Sequence, residues 1–287
     1  MKWLYEMFPA QGYGETEQPQ LSYGYAVNKV LFSGKSEYQQ VDIIENQVYG
    51  KALFLDQLMM TTEKDEFIYH ELLTHIPATR IKQPQRALII GGGDGGIARE
   101  LCKYSSIKEI IVAEIDGMVI EASRKHLPSI ACGFDNPKVK IQLGDGAAYV
   151  AAQADKSFDL VLVDSTEPIG PGITLYKEKF YKECCRILKD DGQFAAQGLA
   201  PFIHQESQKL MFETLKKAFN WVKPYMGVIP TYPTSLWLFF HASKKAEDID
   251  LVGSNNLPND TKYLTKEMLT TVYNVPRFVE KNLYANS

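Results

Sequence analysis

Two periodicities divide the chain. From Lys29 to Glu63, KVLFSGKSEYQQVDIIEN and QVYGKALFLDQLMMTTE alternate apolar with polar residues and are broken by Gly, Asn and Asp. A period of two with such breaks predicts a meander of antiparallel strands. KDEFIYHELLTHIPATRI then shows helical spacing at Phe67, Leu72 and Ile76. Proline disfavours helix at the residue before it, so this helix is expected to end near Ile76. From about Arg86 the pattern becomes strand then helix, repeatedly. ALII, EIIVAEID, KVKIQLGD, FDLVLVD and GQFAAQG read as strands, with helices opening at GGGDGGIARELCKY, GMVIEASRKHL, AAYVAAQ, LYKEKFYKECCRILK and QESQKLMFETLKKAF. WVKPYMGVIP and SLWLFFHASK read as closing strands, and the tail after about Asp248 is polar, then helical, ending near Pro276. This alternation predicts an α/β fold: a mostly parallel sheet with helices on both faces. The domain boundary is expected at 64/65, with a small N-terminal antiparallel β-domain over residues 1–64 and the α/β domain over 65–287. No internal repeat is visible.

In sheets of this kind ligands bind outside the carboxyl ends of the strands, where the strand order reverses. Four successive strand ends carry acids: Gly91-Gly92-Gly93-Asp94-Gly95-Gly96, Glu114-Ile115-Asp116, Gly144-Asp145-Gly146 and Asp164-Ser165-Thr166-Glu167. The glycine run lets backbone approach a ligand and frees the N-terminus of the next helix. Tight helix–strand packing explains the glycines equally well, but not Glu114. An acid about twenty residues after such a run is placed to bond ribose hydroxyls. Asp94 opposes a pyrophosphate: at 4 Å two like charges cost about 4 kcal/mol at an effective dielectric of 20. NAD is therefore disfavoured, and an adenosine attached to something cationic is favoured. Asp145 suits either an adenine amino group or a simple GDG turn. The oily strand FDLVLV delivers Asp164 to its end, and the loop behind it, which carries Glu167, is stiffened by a Pro168–Pro171 turn.

Bulk properties narrow the partners. The chain has 287 residues, 45% hydrophobic and 23% charged, with a net charge of -4. That is ordinary globular composition, and it offers nucleic acid no basic field. Cys102, Cys132, Cys184 and Cys185 have neither CxxC nor Cys/His spacing, and read as reduced thiols of a cytoplasmic protein. His75, His126, His204 and His241 show no paired spacing, so no metal centre is expected. The N-terminus MKWLYEMFPAQGYGE lacks a secretory h-region, and no apolar run is long enough to span a membrane. Asp65 and Glu66 are expected to support the start of a helix, while Trp237, Phe239 and Phe240 read as strand core.

Over about residues 20–245 the chain resembles the spermidine synthase (polyamine aminopropyltransferase) family. The stretches that carry the resemblance are EYQ at 37–39, LDQLMMTTEKDEFIYHE at 55–71, LIIGGGDGG at 88–96, EID at 114–116, GDG at 144–146, VDSTEPIGP at 163–171 and IPTYP at 229–233. The resemblance implies a Rossmann-like catalytic domain, class I methyltransferase-like, behind an N-terminal β-domain, assembled as a homodimer or homotetramer. It implies transfer of an aminopropyl group from decarboxylated S-adenosylmethionine to a diamine such as putrescine, leaving methylthioadenosine, with that donor as co-substrate and no further cofactor. By position, Gln39, His70, Asp94, Glu114, Asp145, Gly146 and Pro171 would bind the donor. Tyr69, Asp164, Glu167 and Tyr232 would bind the diamine, with Asp164 as general base helped by Tyr69. Glu167 replaces an Asp common in the family, GLAPF after Gln197 lacks an acid some relatives carry, and Leu269 stands where a His is usual.

The chemistry is consistent with that assignment. An alkylammonium has a pKa of about 10.4, so at neutral pH only about one molecule in two thousand is the free base that can attack. Asp164 is a weak base at its ordinary pKa, and crowding by Glu167 together with loop closure is expected to raise it. Rival readings are a diamine N-methyltransferase on the same fold, an aminopropyltransferase for agmatine, cadaverine or spermidine, and a catalytically silent polyamine sensor.

Overall fold

A computed structural model describes residues 2–9, 19–166, 170–245 and 256–284. The meander has the expected form. Strands β3 (Lys29–Lys35), β4 (Gln40–Asn46), β5 (Gly50–Leu55) and β6 (Leu58–Thr62) pair antiparallel in sequence order. Ahead of them the hairpin of β1 (Lys2–Pro9) and β2 (Pro19–Val27) forms a separate two-stranded sheet that the sequence pattern did not separate from the meander. Val41, Ile43, Leu53 and Leu55 point from the meander onto the helices α3 (Gly117–His126) and α4 (Pro128–Ala131), where Val119, Ala122, Leu127 and Ile130 meet them.

The larger sheet has seven strands: β7 (Arg86–Gly91), β8 (Glu109–Glu114), β9 (Val139–Leu143), β10 (Phe158–Asp164), β11 (Leu188–Gln197), β12 (Trp221–Val228) and β13 (Leu236–Ser243). Their spatial order is β12-β13-β11-β10-β7-β8-β9. β7 to β11 run parallel, and β13 is antiparallel to both β11 and β12. This is the Rossmann-like, class I methyltransferase-like α/β fold. Every residue of β10 before Asp164 is buried, because both faces of the sheet are covered. Side chains alternate between two cores. Leu160 and Leu162 join α1 (Glu66–Ala78) and α2 (Gly96–Cys102), while Val161 and Val163 join α5 (Gly146–Ala151), α6 (Glu178–Ile187) and α7 (Gln205–Lys216). No helix among the described residues is long and apolar enough to cross a membrane.

Two helix expectations need correction. α1 does not stop at Ile76 but continues through Pro77 to Ala78. In the last turn Pro77 costs a single intrahelical bond, and burial of Ile76, Pro77 and Ala78 outweighs it. In the tail a short helix α8 (Met268–Thr271) is followed by α9 (Arg277–Tyr284), which begins after Pro276 instead of ending there. Proline before the first helical turn forfeits no bond. Val279 and Leu283, four residues apart, seat α9 on the second core.

The strand order reverses between β7 and β10. Gly91 pairs with Asp164 there, and the Gly92 amide donates to the Asp164 carbonyl at 3.1 Å. Gly91 has φ +82°, and a Cβ on it would lie 2.1 Å from that carbonyl oxygen. Only glycine lets the two strand ends approach this closely. The α9 docking yields a stability prediction: Leu283→Ala should lower unfolding free energy by about 2 to 4 kcal/mol in chemical denaturation. A change within error would mean that α9 is not part of the folded core.

Candidate active site

The strand ends at the reversal open on a cavity of about 470 Å³. Gln39, Tyr69, His70, Asp94, Glu114, Asp145, Gly146, Asp164 and Tyr232 all line it, which brings together in one place residues drawn from well-separated segments of the sequence. Glu167 lies outside the described residues. Pro171 is placed only through its backbone, in the 3₁₀ turn Gly170–Tyr176.

The Asp164 carboxylate accepts from the Tyr69 hydroxyl at 2.6 Å. Burial, then the nearby Asp164 charge, pushes the Tyr69 phenol well above its ordinary pKa, so it stays a donor. Burial and then the Asp94 charge raise Asp164 to about 6, with cationic His70 and the Tyr69 hydrogen bond pulling the other way. The rise matches expectation, but its causes here are burial and Asp94, since Glu167 is not among the described residues. Glu114 is raised further, to about 7, chiefly by burial, even though it accepts from the Asp116 amide at 2.9 Å.

Asp94 is treated differently. Its carboxylate meets His70 Nε2 at 3.1 Å and accepts from the Gly96 amide at 2.9 Å. Although burial opposes it, the His70 charge holds Asp94 below its usual pKa. His70 Nδ1 contacts Glu66 at 2.6 Å, and Glu66 accepts a two-pronged bond from Arg99 at 2.9 and 2.7 Å. The sequence pattern gave Glu66 only a helix-start role. Asp65 likewise has no side-chain bond to α1; it accepts from Thr62 and from the amide and hydroxyl of Thr231, tying the 229–235 turn to the helix. His70, Asp94 and Asp164 offer polar atoms within 4.8 Å of one another. Both His70 nitrogens are engaged by carboxylates, however, so the ring has no free lone pair for an ion.

The remaining residues are held indirectly. Gln39 donates to Asp116 at 3.0 Å, as Ser36 does at 2.7 Å, and Asp116 also caps α3 by accepting from the Met118 amide at 3.0 Å. One buried aspartate thus pins the meander to the sheet. Asp145 is exposed and caps α5 through one oxygen, accepting from Ala147 at 2.7 Å and Ala148 at 3.3 Å. The turn reading of GDG therefore holds, and the position still faces the cavity. The Tyr232 hydroxyl donates to the Met60 carbonyl at 2.5 Å, leaving the ring as cavity wall. Trp237, assigned to strand core, is 5% exposed yet also lines the cavity, with the Tyr232 ring edge-on at 4.5 Å. A tryptophan just after a proline-rich turn gave a faint hint of this.

Residues 66–251 match the model of the spermine/spermidine synthase domain, and residues 13–63 match that of the spermidine synthase tetramerisation domain. The chain belongs to the spermine/spermidine synthase family. Among its relatives, polyamine aminopropyltransferase 1 of Bacillus cereus is 40% identical over 253 residues, covering 88% of this chain and 92% of that protein. The polyamine aminopropyltransferase of Bacillus subtilis is 40% identical over 266 residues, 92% of this chain and 96% of its own. A crystal structure of spermidine synthase with the transition-state analogue AdoDATO superposes with a TM-score of 0.92 at 37% identity, over 99% of this chain and 95% of that one. Spermidine synthase from Thermotoga maritima gives 0.91 at 36% identity, with the same coverage. This member of the family is thus an aminopropyltransferase.

Two carboxyls raised to about 6 and about 7 lead to a prediction for any cationic ligand. Positive charge in the cavity favours their ionised forms and lowers both pKa values. Binding between those values should release protons, measured by calorimetry in buffers of different ionisation enthalpy. Proton uptake would contradict the site's electrostatics.

Proposed function

We propose that this aminopropyltransferase is a spermidine synthase: it transfers the aminopropyl group of decarboxylated S-adenosylmethionine to putrescine, giving spermidine and methylthioadenosine. The observation that carries this reading is the partition of the carboxylates. Asp94 is held ionised by His70, while Asp164, a few ångströms away, is poised near 6 under a tyrosine hydroxyl. An anionic anchor beside a weakly basic carboxylate suits a ligand with a fixed positive charge and an amine that must lose a proton.

In this reading Asp94 meets the donor's ammonium group, Glu114 its ribose hydroxyls and Asp145 the adenine edge, with Gln39, His70, Gly146 and Pro171 completing the donor side. Tyr69, Asp164, Glu167 and Tyr232 form the acceptor side. The acceptor nitrogen attacks the carbon joined to the sulfonium. A nitrogen–carbon bond forms as the carbon–sulfur bond breaks, the electron pair stays on sulfur, and neutral methylthioadenosine leaves. The nitrogen's proton passes to Asp164. Holding the amine in line with the carbon–sulfur bond lowers the barrier further by making the encounter effectively intramolecular. Because Asp164 must be ionised to act, kcat/KM, which reports the free enzyme, should fall as pH drops through about 6, and kcat should fall only at lower pH once cationic ligand is bound.

The same group links function to stability. A carboxyl raised from 3.8 to about 6 in the folded state destabilises the fold progressively as pH rises between those values, by on the order of 3 kcal/mol once ionised. Asp164→Asn should therefore melt higher than the parent above pH 6 while losing turnover by about two orders of magnitude or more. Retained turnover would defeat the base assignment.

Methylthioadenosine release tests the reaction directly, with decarboxylated and intact S-adenosylmethionine and with putrescine, agmatine, cadaverine and spermidine in competition. Preference for the decarboxylated donor and putrescine is expected. Turnover only with the intact donor would make it a methyltransferase, and amine binding without release would make it a sensor.

A homo-oligomer completes the proposal. Trp3, Tyr5 and Met7 share one face of β1 and are 47%, 50% and 52% exposed. Such an aromatic face beside a segment matching the tetramerisation domain supports contact with a second copy. Sedimentation should give a particle larger than the 32.4 kDa chain, and Trp3→Ser with Tyr5→Ser should reduce it. A monomeric parent would refute this.

A further inference from the structure

The last glycine of the GGGDGG run makes a contact that ligand binding does not require. A Cβ on Gly96 would lie 2.2 Å from Cε1 of His70, so the first turn of α2 is pressed against the imidazole. His70 is 1% exposed and Glu66 5%. His70 Nδ1 meets Glu66 at 2.6 Å, and Nε2 meets Asp94 at 3.1 Å. Neutral imidazole has one N–H and cannot donate to two carboxylates; imidazolium can. Burial works against the charge, but the Asp94 and Glu66 carboxylates outweigh it and hold the ring well above its ordinary pKa. The groups facing the ring are Glu66 from its own helix, Asp94 from the β7–α2 loop, Asp164 from the end of β10, and Tyr69, whose ring stands edge-on at 5.5 Å. Arg99 of α2 binds Glu66 from the wall of a second, separate cavity of about 410 Å³.

We propose that Glu66 and Arg99 are positioning residues for the donor: the buried chain Arg99–Glu66–His70–Asp94 keeps His70 donating from both nitrogens, and His70 with the Gly96 amide aims the Asp94 carboxylate into the cavity. Arg99 does not line the active cavity; it holds Glu66 by the two-pronged bond, and its charge also helps to keep Asp94 ionised. The inference rests on the reading of Asp94 as the group that meets the donor's ammonium.

Nitrogen-15 NMR of histidine-labelled, ligand-free protein tests the chain without any substrate, with His70 assigned by comparison with His70→Asn. Two ring N–H groups should persist on His70 through neutral pH in the parent, where an ordinary imidazole has lost one, and Glu66→Gln should make the ring lose one of them at lower pH than the parent does. A singly protonated His70 in the parent, or an unchanged titration in Glu66→Gln, overturns the proposal. Kinetics separate positioning from mere packing. Glu66→Gln should raise donor KM about tenfold or more, with kcat within about threefold and acceptor KM unchanged. Arg99→Lys, which keeps the charge but loses the two-pronged bond, should show a smaller effect in the same direction. If Glu66→Gln does not fold, Arg99→Lys and the parent's own NMR state decide the matter. Unchanged donor KM in the folded variants also overturns the proposal. A parent enzyme that fails to bind decarboxylated S-adenosylmethionine would instead defeat the donor reading, leaving the protonation state of His70 as measured.

Discussion

Repulsion among buried carboxylates is the constraint around which this protein is organised. Asp94, Glu114 and Asp164 open on one cavity, and like charges at such range repel by several kcal/mol when water is excluded. The fold relieves this by giving each acid different company. Asp94 has a cationic histidine, itself backed by a glutamate and an arginine. Among the described residues, Asp164 is bonded by a phenol and feels His70 more weakly than Asp94 repels it, and Glu114 has backbone amides and acidic neighbours. One acid is therefore firmly ionised and two are poised near neutrality. The same unequal division separates a charge anchor from a proton acceptor.

The scaffold serves that division. A parallel sheet ends its strands on one side, and the reversal between β7 and β10 leaves a crevice there. Gly91 allows the two strand ends to close on one another, which sets Asp164 beside the glycine loop. The meander contributes the opposite wall by docking its apolar face on α3 and α4. Asp116 then binds Ser36, Gln39 and the first turn of α3 at once, so cavity shape depends on the seating of the N-terminal sheet. Asp65 plays a comparable part for the 229–235 turn, which carries Tyr232 and leads to Trp237.

Much of this was legible in the chain. Alternation with a period of two marked the meander, and strand–helix alternation marked the parallel sheet, because burial on one or both faces leaves a periodic trace. Acids at four strand ends located the cavity, since topology sends all those ends to one side. Other features left no trace. α9 is eight residues long, too short for a clear period, and it packs through Phe278, Val279, Leu283 and Tyr284. The β1–β2 hairpin exposes aromatic residues where a lone hairpin would be expected to show polar ones, so its pattern is uninformative.

The sequence by itself determined the kinds of strand and helix, the crevice where chemistry takes place and most of the residues that face it. These follow from local periodicity and from chain order, which a linear reading retains. Only the tertiary structure decided which acid is neutralised and which is left nearly bare. Glu66 looked like a helix-start acid until folding set it between Arg99 and His70, and Asp65 looked like its twin until Thr231 arrived from 166 positions along the chain. Ionisation depends on distances between charges and on exclusion of water, and both are properties of the folded arrangement.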